Sequence, residues 1–217
     1  MENQIQGPIL VGNLEDSEKA IFYRKTYTHV AFAILAFILL EYIFISMFED
    51  AVISLINLMF GSSFSWLIVL GLFWFGSSMA DKLAHNPSKQ TQYLGLGLYV
   101  LLEAIIFLPM IYLAAYHSTG SEMLTQAAII TLCLFAGLTA TVFMTNKNFS
   151  FLKTGLVIGS FVAIGLIVAG TIFGFDLGLW FSVGMVVFAG AAILYQTSKV
   201  KYEYTGDQYV GAALGIF

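Results

Sequence analysis

The stretch Leu177–Val200 reads LGLWFSVGMVVFAGAAILYQTSKV. Up to Tyr195 it carries no charge. Gln196, Thr197, Ser198 and Lys199 then supply a carboxamide, two hydroxyls and an ammonium in succession. A helix of about 20 apolar residues covers the roughly 30 Å of a bilayer's hydrocarbon. The stretch therefore reads as a membrane span that becomes wet at Gln196, and the rest of the chain should repeat the unit.

Composition agrees. The chain has 217 residues, 59% hydrophobic and 10% charged. A soluble domain has about 45–50% and 25%, so there are too few charges here to cover a water-facing surface. The expected class is an all-α polytopic membrane protein whose first partner is the lipid bilayer. Cys133 is the single cysteine, which excludes an intrachain disulfide. The first 25 residues include Glu15, Asp16 and Glu18 and lack the basic start and early apolar core of a signal peptide. A net charge of −4 argues against nucleic acid as a partner.

Apolar runs place spans at roughly 26–47, 64–81, 93–115, 123–145, 152–173 and 177–196. A seventh begins near Gln208 and reaches Phe217, about half a bilayer. Either it continues past Phe217 or it is a half-helix; the first is the expectation. The predicted organisation is a polar amino-terminal tail over 1–25, read as solvated, and a seven-helix bundle over 26–217. The short run Ala51–Phe60 reads as a helix lying in the membrane interface.

The nine lysines and arginines set the orientation. Lys19, Arg24 and Lys25 precede the first span. Lys82 and Lys89 flank the second loop, Lys147 and Lys153 the fourth, and Lys199 and Lys201 follow the sixth span. The intervening loops hold only acidic charges: Glu49, Asp50, Glu122 and Asp176. By the positive-inside rule the amino terminus is cytoplasmic, and the expected location is the plasma (inner) membrane. Gly155, Gly159 and Gly165, with Gly211 and Gly215, have the small-residue spacing that lets helices approach in lipid.

Polar groups inside spans are expensive and face a bundle interior or water. Glu103 lies near the middle of the third span, one helical turn after Tyr99 and shortly before Pro109. Glu41 is in the outer half of the first span. Asp81, with Ser77 and Ser78, is at the basic end of the second. Glu103, Tyr99 and Glu41 form either a polar cavity or cation path, or a set of packing hydrogen bonds. For Glu41, contact with the outer interface is the simpler reading, and for Asp81 an interface anchor. His29, His85 and His117 fall near ends or loops on both sides and do not converge on a metal. No phosphate-binding Gly-Lys-Ser/Thr loop, G-x-S-x-G elbow, intramembrane Asp pair or His-Glu-x-x-His helix is present. No enzymatic activity and no cofactor are expected.

Three stretches together resemble the transmembrane Bax inhibitor motif family: LFAGLTATVFMTNKNFSFLKTG (Leu134–Gly155), ILYQTSKV (Ile193–Val200) and IIFLP (Ile105–Pro109). The resemblance runs from about Tyr23 onward and implies seven helices, one of them central. In the family's calcium-leak branch an Asp ending the sixth span pairs with an Asp in the seventh, forming a pH-sensitive latch. Here that first position is Gln196, and the second would fall past Phe217. A basic residue in the second span is matched only by Lys82, so the latch is not carried over. The motif looks closer to a bacterial branch with Glu at this position, whose members modulate a membrane-anchored AAA protease.

Two functions follow from the resemblance: a cation (calcium) leak or ion-homeostasis protein, or a non-conducting modulator of a membrane-anchored AAA protease, with the tail as a handle. Gln196 is expected to close the cytoplasmic end by hydrogen bonding to the seventh span or the following loop. Thr197 and Ser198 would satisfy neighbouring groups, with Asp81 and Lys82 nearby. An amide does not titrate, so such a closure lacks the pH latch at this site.

Overall fold

The structure is a computed structural model that describes residues 9–116, 120–144 and 149–217. His117 and Lys147 lie outside the described residues. Among those described the fold is helical: a short 3-10 turn, Val11–Asn13, precedes α1 (Asp16–Met47), α2 (Glu49–Phe60), α3 (Ser63–Ala84), α4 (Lys89–Tyr116), α5 (Gly120–Met144), α6 (Leu152–Phe173), α7 (Gly178–Tyr202) and α8 (Tyr209–Ile216). Six of these, α1 and α3 to α7, are long and apolar enough to cross a membrane. At about 18 Å, the 12 residues of α2 are too short to cross.

The helix boundaries have local causes. Phe48 ends α1 and starts α2, its N–H donating to the Phe44 carbonyl at 3.0 Å. The Ser62 hydroxyl caps α3 by accepting from the Ser65 N–H at 3.2 Å. Gly174 stops α6 in the left-handed conformation (φ 70°), which a residue with a Cβ resists.

The shortest helix is the central one. Five residues of α8, Val210 to Leu214, are buried, and the helix packs on α1, α3, α4 and α7. Small residues let it in: a Cβ on Gly211 would lie 3.1 Å from the Ala84 carbonyl oxygen. The tightest approach joins α3 to α4, where a Cβ on Gly95 would meet backbone atoms of Ala84 and Ala80 at 2.5 and 2.7 Å. Ala80, Ala84, Leu96, Val100, Val210 and Leu214 form the core there. In contrast, α6 buries no residue, and of its spaced glycines Gly155 and Gly165 have open space around them. Only Gly159 faces a neighbour, the Phe188 ring of α7.

Two expectations are corrected. The amino-terminal segment is docked from Val11 onward. Val11 is fully buried, its N–H donates to the Tyr204 carbonyl at 2.8 Å, and Phe22 is 2% exposed. Val11, Phe22, Val200, Tyr204 and Ala212 form a second core. The acidic residues that made this segment read as a solvated tail hide an apolar set that finds a partner only in the folded chain. The second correction is to the sixth span, which continues as α7 to Tyr202, so Gln196 stands inside a helix rather than at its end.

Candidate functional site: a polar cleft beside the central helix

At the lysine-bearing end, side chains from five elements meet around the segment that links α7 to α8. His29 on α1 has Nδ1 2.7 Å from its own helix's Lys25 carbonyl and Nε2 3.0 Å from the Tyr93 hydroxyl of α4. Following α3, His85 repeats the arrangement: Nδ1 is 2.8 Å from the Asp81 carbonyl and Nε2 is 3.1 Å from the Tyr204 hydroxyl. A carbonyl only accepts, so each Nδ1 carries a proton and donates it, and each Nε2 shares a hydrogen bond with a tyrosine hydroxyl.

Cations complete this end. The Lys25 and Lys89 ammonium groups lie 5.1 and 4.2 Å from the centre of the Tyr209 ring, and Lys199 lies over Tyr204 at 5.6 Å. Lys89 also donates to the Asp207 carbonyl and, at 3.1 Å, to Gln92 Oε1. Burial first, and then the charges of Asp81 and Glu203, raise the Tyr204 phenol above its ordinary value.

Beside this cluster a cleft of about 410 Å³ opens between α3, α4, α7 and α8. Its lining includes Ser77, Asp81, Lys82, Tyr99, Gln196 and Gly215. Asp81 and Lys82 are exposed at the mouth, and the Asp81 carboxylate is 3.3 Å from His85 Nδ1. Tyr99 is half-buried deeper in α4, and its hydroxyl lies near the Glu103 carboxyl one turn further along. The Gln196 amide oxygen would be 3.5 Å from a Cβ on Gly215, so the side chain lies against α8. Residues expected in two separate sets, Tyr99 in one and Gln196, Asp81 and Lys82 in the other, thus share one cleft.

The other predicted residues part company with it. Glu41 is 5% exposed, and neither carboxyl oxygen has a hydrogen-bond partner among the described residues. It is enclosed by protein rather than reaching an outer interface. Among the described residues the buried Thr197 hydroxyl has no hydrogen-bond partner, contrary to expectation. Ser198 has one: its hydroxyl accepts from the Phe149 N–H at 3.0 Å, tying α7 to the segment before α6.

The tyrosines of the α7–α8 link, Tyr93 of α4, and the two histidines that bond to Tyr93 and Tyr204 were missed in the sequence. A signal was present in Lys201–Tyr209, KYEYTGDQY, where three tyrosines fall in nine residues beside the basic end.

Comparison with known proteins places the chain. The family model for Inhibitor of apoptosis-promoting Bax1 matches residues 19–217. An uncharacterized protein of Pseudomonas aeruginosa is 34% identical over 129 residues, covering 58% of this chain and 53% of the relative. An uncharacterized protein of Neisseria meningitidis serogroup A is 24% identical over 159 residues, covering 73% and 69%. The chain thus spans about half the length of the Pseudomonas relative it matches. No solved structure matches it.

Proposed function

The chain belongs to the Inhibitor of apoptosis-promoting Bax1 family, and from that premise we propose that it is an ion-homeostasis protein that leaks cations across the membrane. The supporting observation is the cleft at the lysine-bearing end, which reaches Tyr99 on α4, one helical turn before Glu103 in the middle of that helix. A carboxyl at that depth is costly unless water or a cation serves it. In this reading Glu103 is the inner acidic station, Asp81 stands at the entrance, and Gln196 closes the passage against α8. The lysine-bearing end faces the cytoplasm by the positive-inside rule, which gives an inner-membrane protein with a cytoplasmic amino terminus. No reaction chemistry is involved.

The second reading, a modulator of a membrane-anchored AAA protease, needs an accessible handle. From Val11 the amino-terminal segment is docked on Tyr204, which removes most of the expected tail from that role.

Calcium flux into proteoliposomes across pH tests the leak. Wild type should exceed protein-free vesicles, and Glu103→Gln should lower the flux without lowering the melting temperature. Gln196→Asp should add a pH dependence that the amide lacks. Absence of flux, together with capture of a AAA protease by the solubilised protein, would transfer support to the second reading.

A further inference from the structure

A second cleft, of about 430 Å³, lies at the opposite, acidic end, between the α2–α3 turn and the end of α6. Phe60, Trp66, Phe175 and Asp176 line it, with Ser62 and Thr171. The Phe60 and Trp66 rings stack, centroids 5.5 Å apart and planes within 11°. The other wall is built by backbone. Gly174 ends α6 with a positive φ and turns the chain back, so that the Phe175 carbonyl oxygen would lie 3.2 Å from a Cβ on Gly170. This folded-back turn carries Phe175 and Asp176 to the cleft.

The chemistry of the lining selects a ligand class. Both hydroxyls are already engaged: Ser62 with Ser65, and Thr171 as donor to the Ile167 carbonyl at 2.8 Å. Asp176 is therefore the one charged lining residue, and it forms no ion pair among the described residues. The loops on this side carry no lysine or arginine to neutralise it. A carboxylate beside aromatic faces attracts a cation. A hard metal ion asks for six or more oxygen ligands, and no group of three metal-ligating side chains exists among the described residues. Aromatic residues are common at membrane interfaces. These, however, share a concavity with an uncompensated carboxylate, and the volume suits a small organic head.

We propose that this cleft binds an organic ammonium group, with Asp176 as counter-charge and Phe60, Trp66 and Phe175 as the π faces around it. The ammonium belongs either to a free amine or to the headgroup of an aminophospholipid. The proposal is independent of whether the chain conducts ions.

The test uses the full chain in nanodiscs of phosphatidylglycerol, titrated with choline, with ethanolamine and with 3,3-dimethylbutanol, the neutral isostere of choline. Calorimetry and tryptophan fluorescence report binding. At least one amine should bind saturably and the isostere should not. Asp176→Asn should weaken binding about tenfold, with an unchanged melting temperature. Trp66→Phe, which keeps a π face, should retain binding but lose the fluorescence response. Adding phosphatidylethanolamine distinguishes the sources. Competition with the free amine identifies the lipid headgroup, and unchanged affinity identifies a soluble amine; either supports the site. Equal binding of the neutral isostere, unchanged affinity in Asp176→Asn, or no saturable binding of either amine would overturn it.

Discussion

Helices α4 and α6 are both membrane-length, yet they are used in opposite ways. α4 carries Gln92, Tyr93, Tyr99, Glu103 and Pro109 and buries eight residues; α6 is almost wholly apolar and buries none. In water the more apolar helix would be the interior one. In lipid the solvent is as apolar as a leucine side chain, so burying leucine against protein gains little. Close backbone approach and polar contacts decide which helix goes inside. α4 has both, in Gly95 against Ala80 and Ala84 and in the Tyr93 and Tyr99 hydroxyls. α6 meets another helix closely at one glycine, Gly159, and buries none of its residues.

The sharpest way to break this comparison is to enlarge one glycine on each helix. Gly95→Leu forces a side chain into backbone atoms that lie within 3 Å of its Cβ. It should cost about 3 kcal/mol or more and collapse the folded yield in detergent. The matched Gly165→Leu meets open space and should stay within about 0.5 kcal/mol. Equal damage from both, read as melting temperature by size-exclusion fluorescence, would mean that the Gly165 face of α6 is packed against a partner.

A smaller effect is expected at Glu41, a buried carboxyl without a hydrogen-bond partner among the described residues. Replacing it by leucine removes a polar burial cost of about 1–3 kcal/mol, so Glu41→Leu should raise the melting temperature. If Glu41 belongs to the proposed cation path, flux should fall as stability rises, the signature of a residue kept for function. A fall in stability would instead show that the carboxyl is satisfied in a way the static arrangement conceals.

The smallest effect should come from Tyr204→Phe, which removes one hydrogen bond to His85, about 1 kcal/mol. It also has a pH signature. The folded phenol titrates above its ordinary value, because burial and nearby carboxylates disfavour its anion. Its contribution to stability is therefore complete below the unfolded value of about 10 and is lost as pH rises through the folded value. Tyr204→Phe should flatten the alkaline fall in stability. An unchanged alkaline limb would place the titration elsewhere.

Much of the site was legible in part. Glu103 and Tyr99 stand out because polar groups deep in an apolar run are conspicuous, and Gln196 because it marks where a run turns wet. The cleft that Tyr99 and Gln196 share was not legible. It depends on α8 lying between α3, α4 and α7, and no periodicity in α8 names its neighbours. The docked segment around Val11 escaped for the same reason: its partner, Tyr204, is nearly two hundred residues away.

Sequence by itself determined the membrane class, the positions of six helices of spanning length, and the separation of basic from acidic ends. Each of these reflects the transfer of single groups between water and lipid, a property each residue carries alone. Only the tertiary structure decided that the shortest helix is central, that α4 is interior and α6 peripheral, and that Tyr99, Asp81 and Gln196 face one space. These depend on shape and hydrogen-bond complementarity between helices, a property of pairs that exists only once the helices have met.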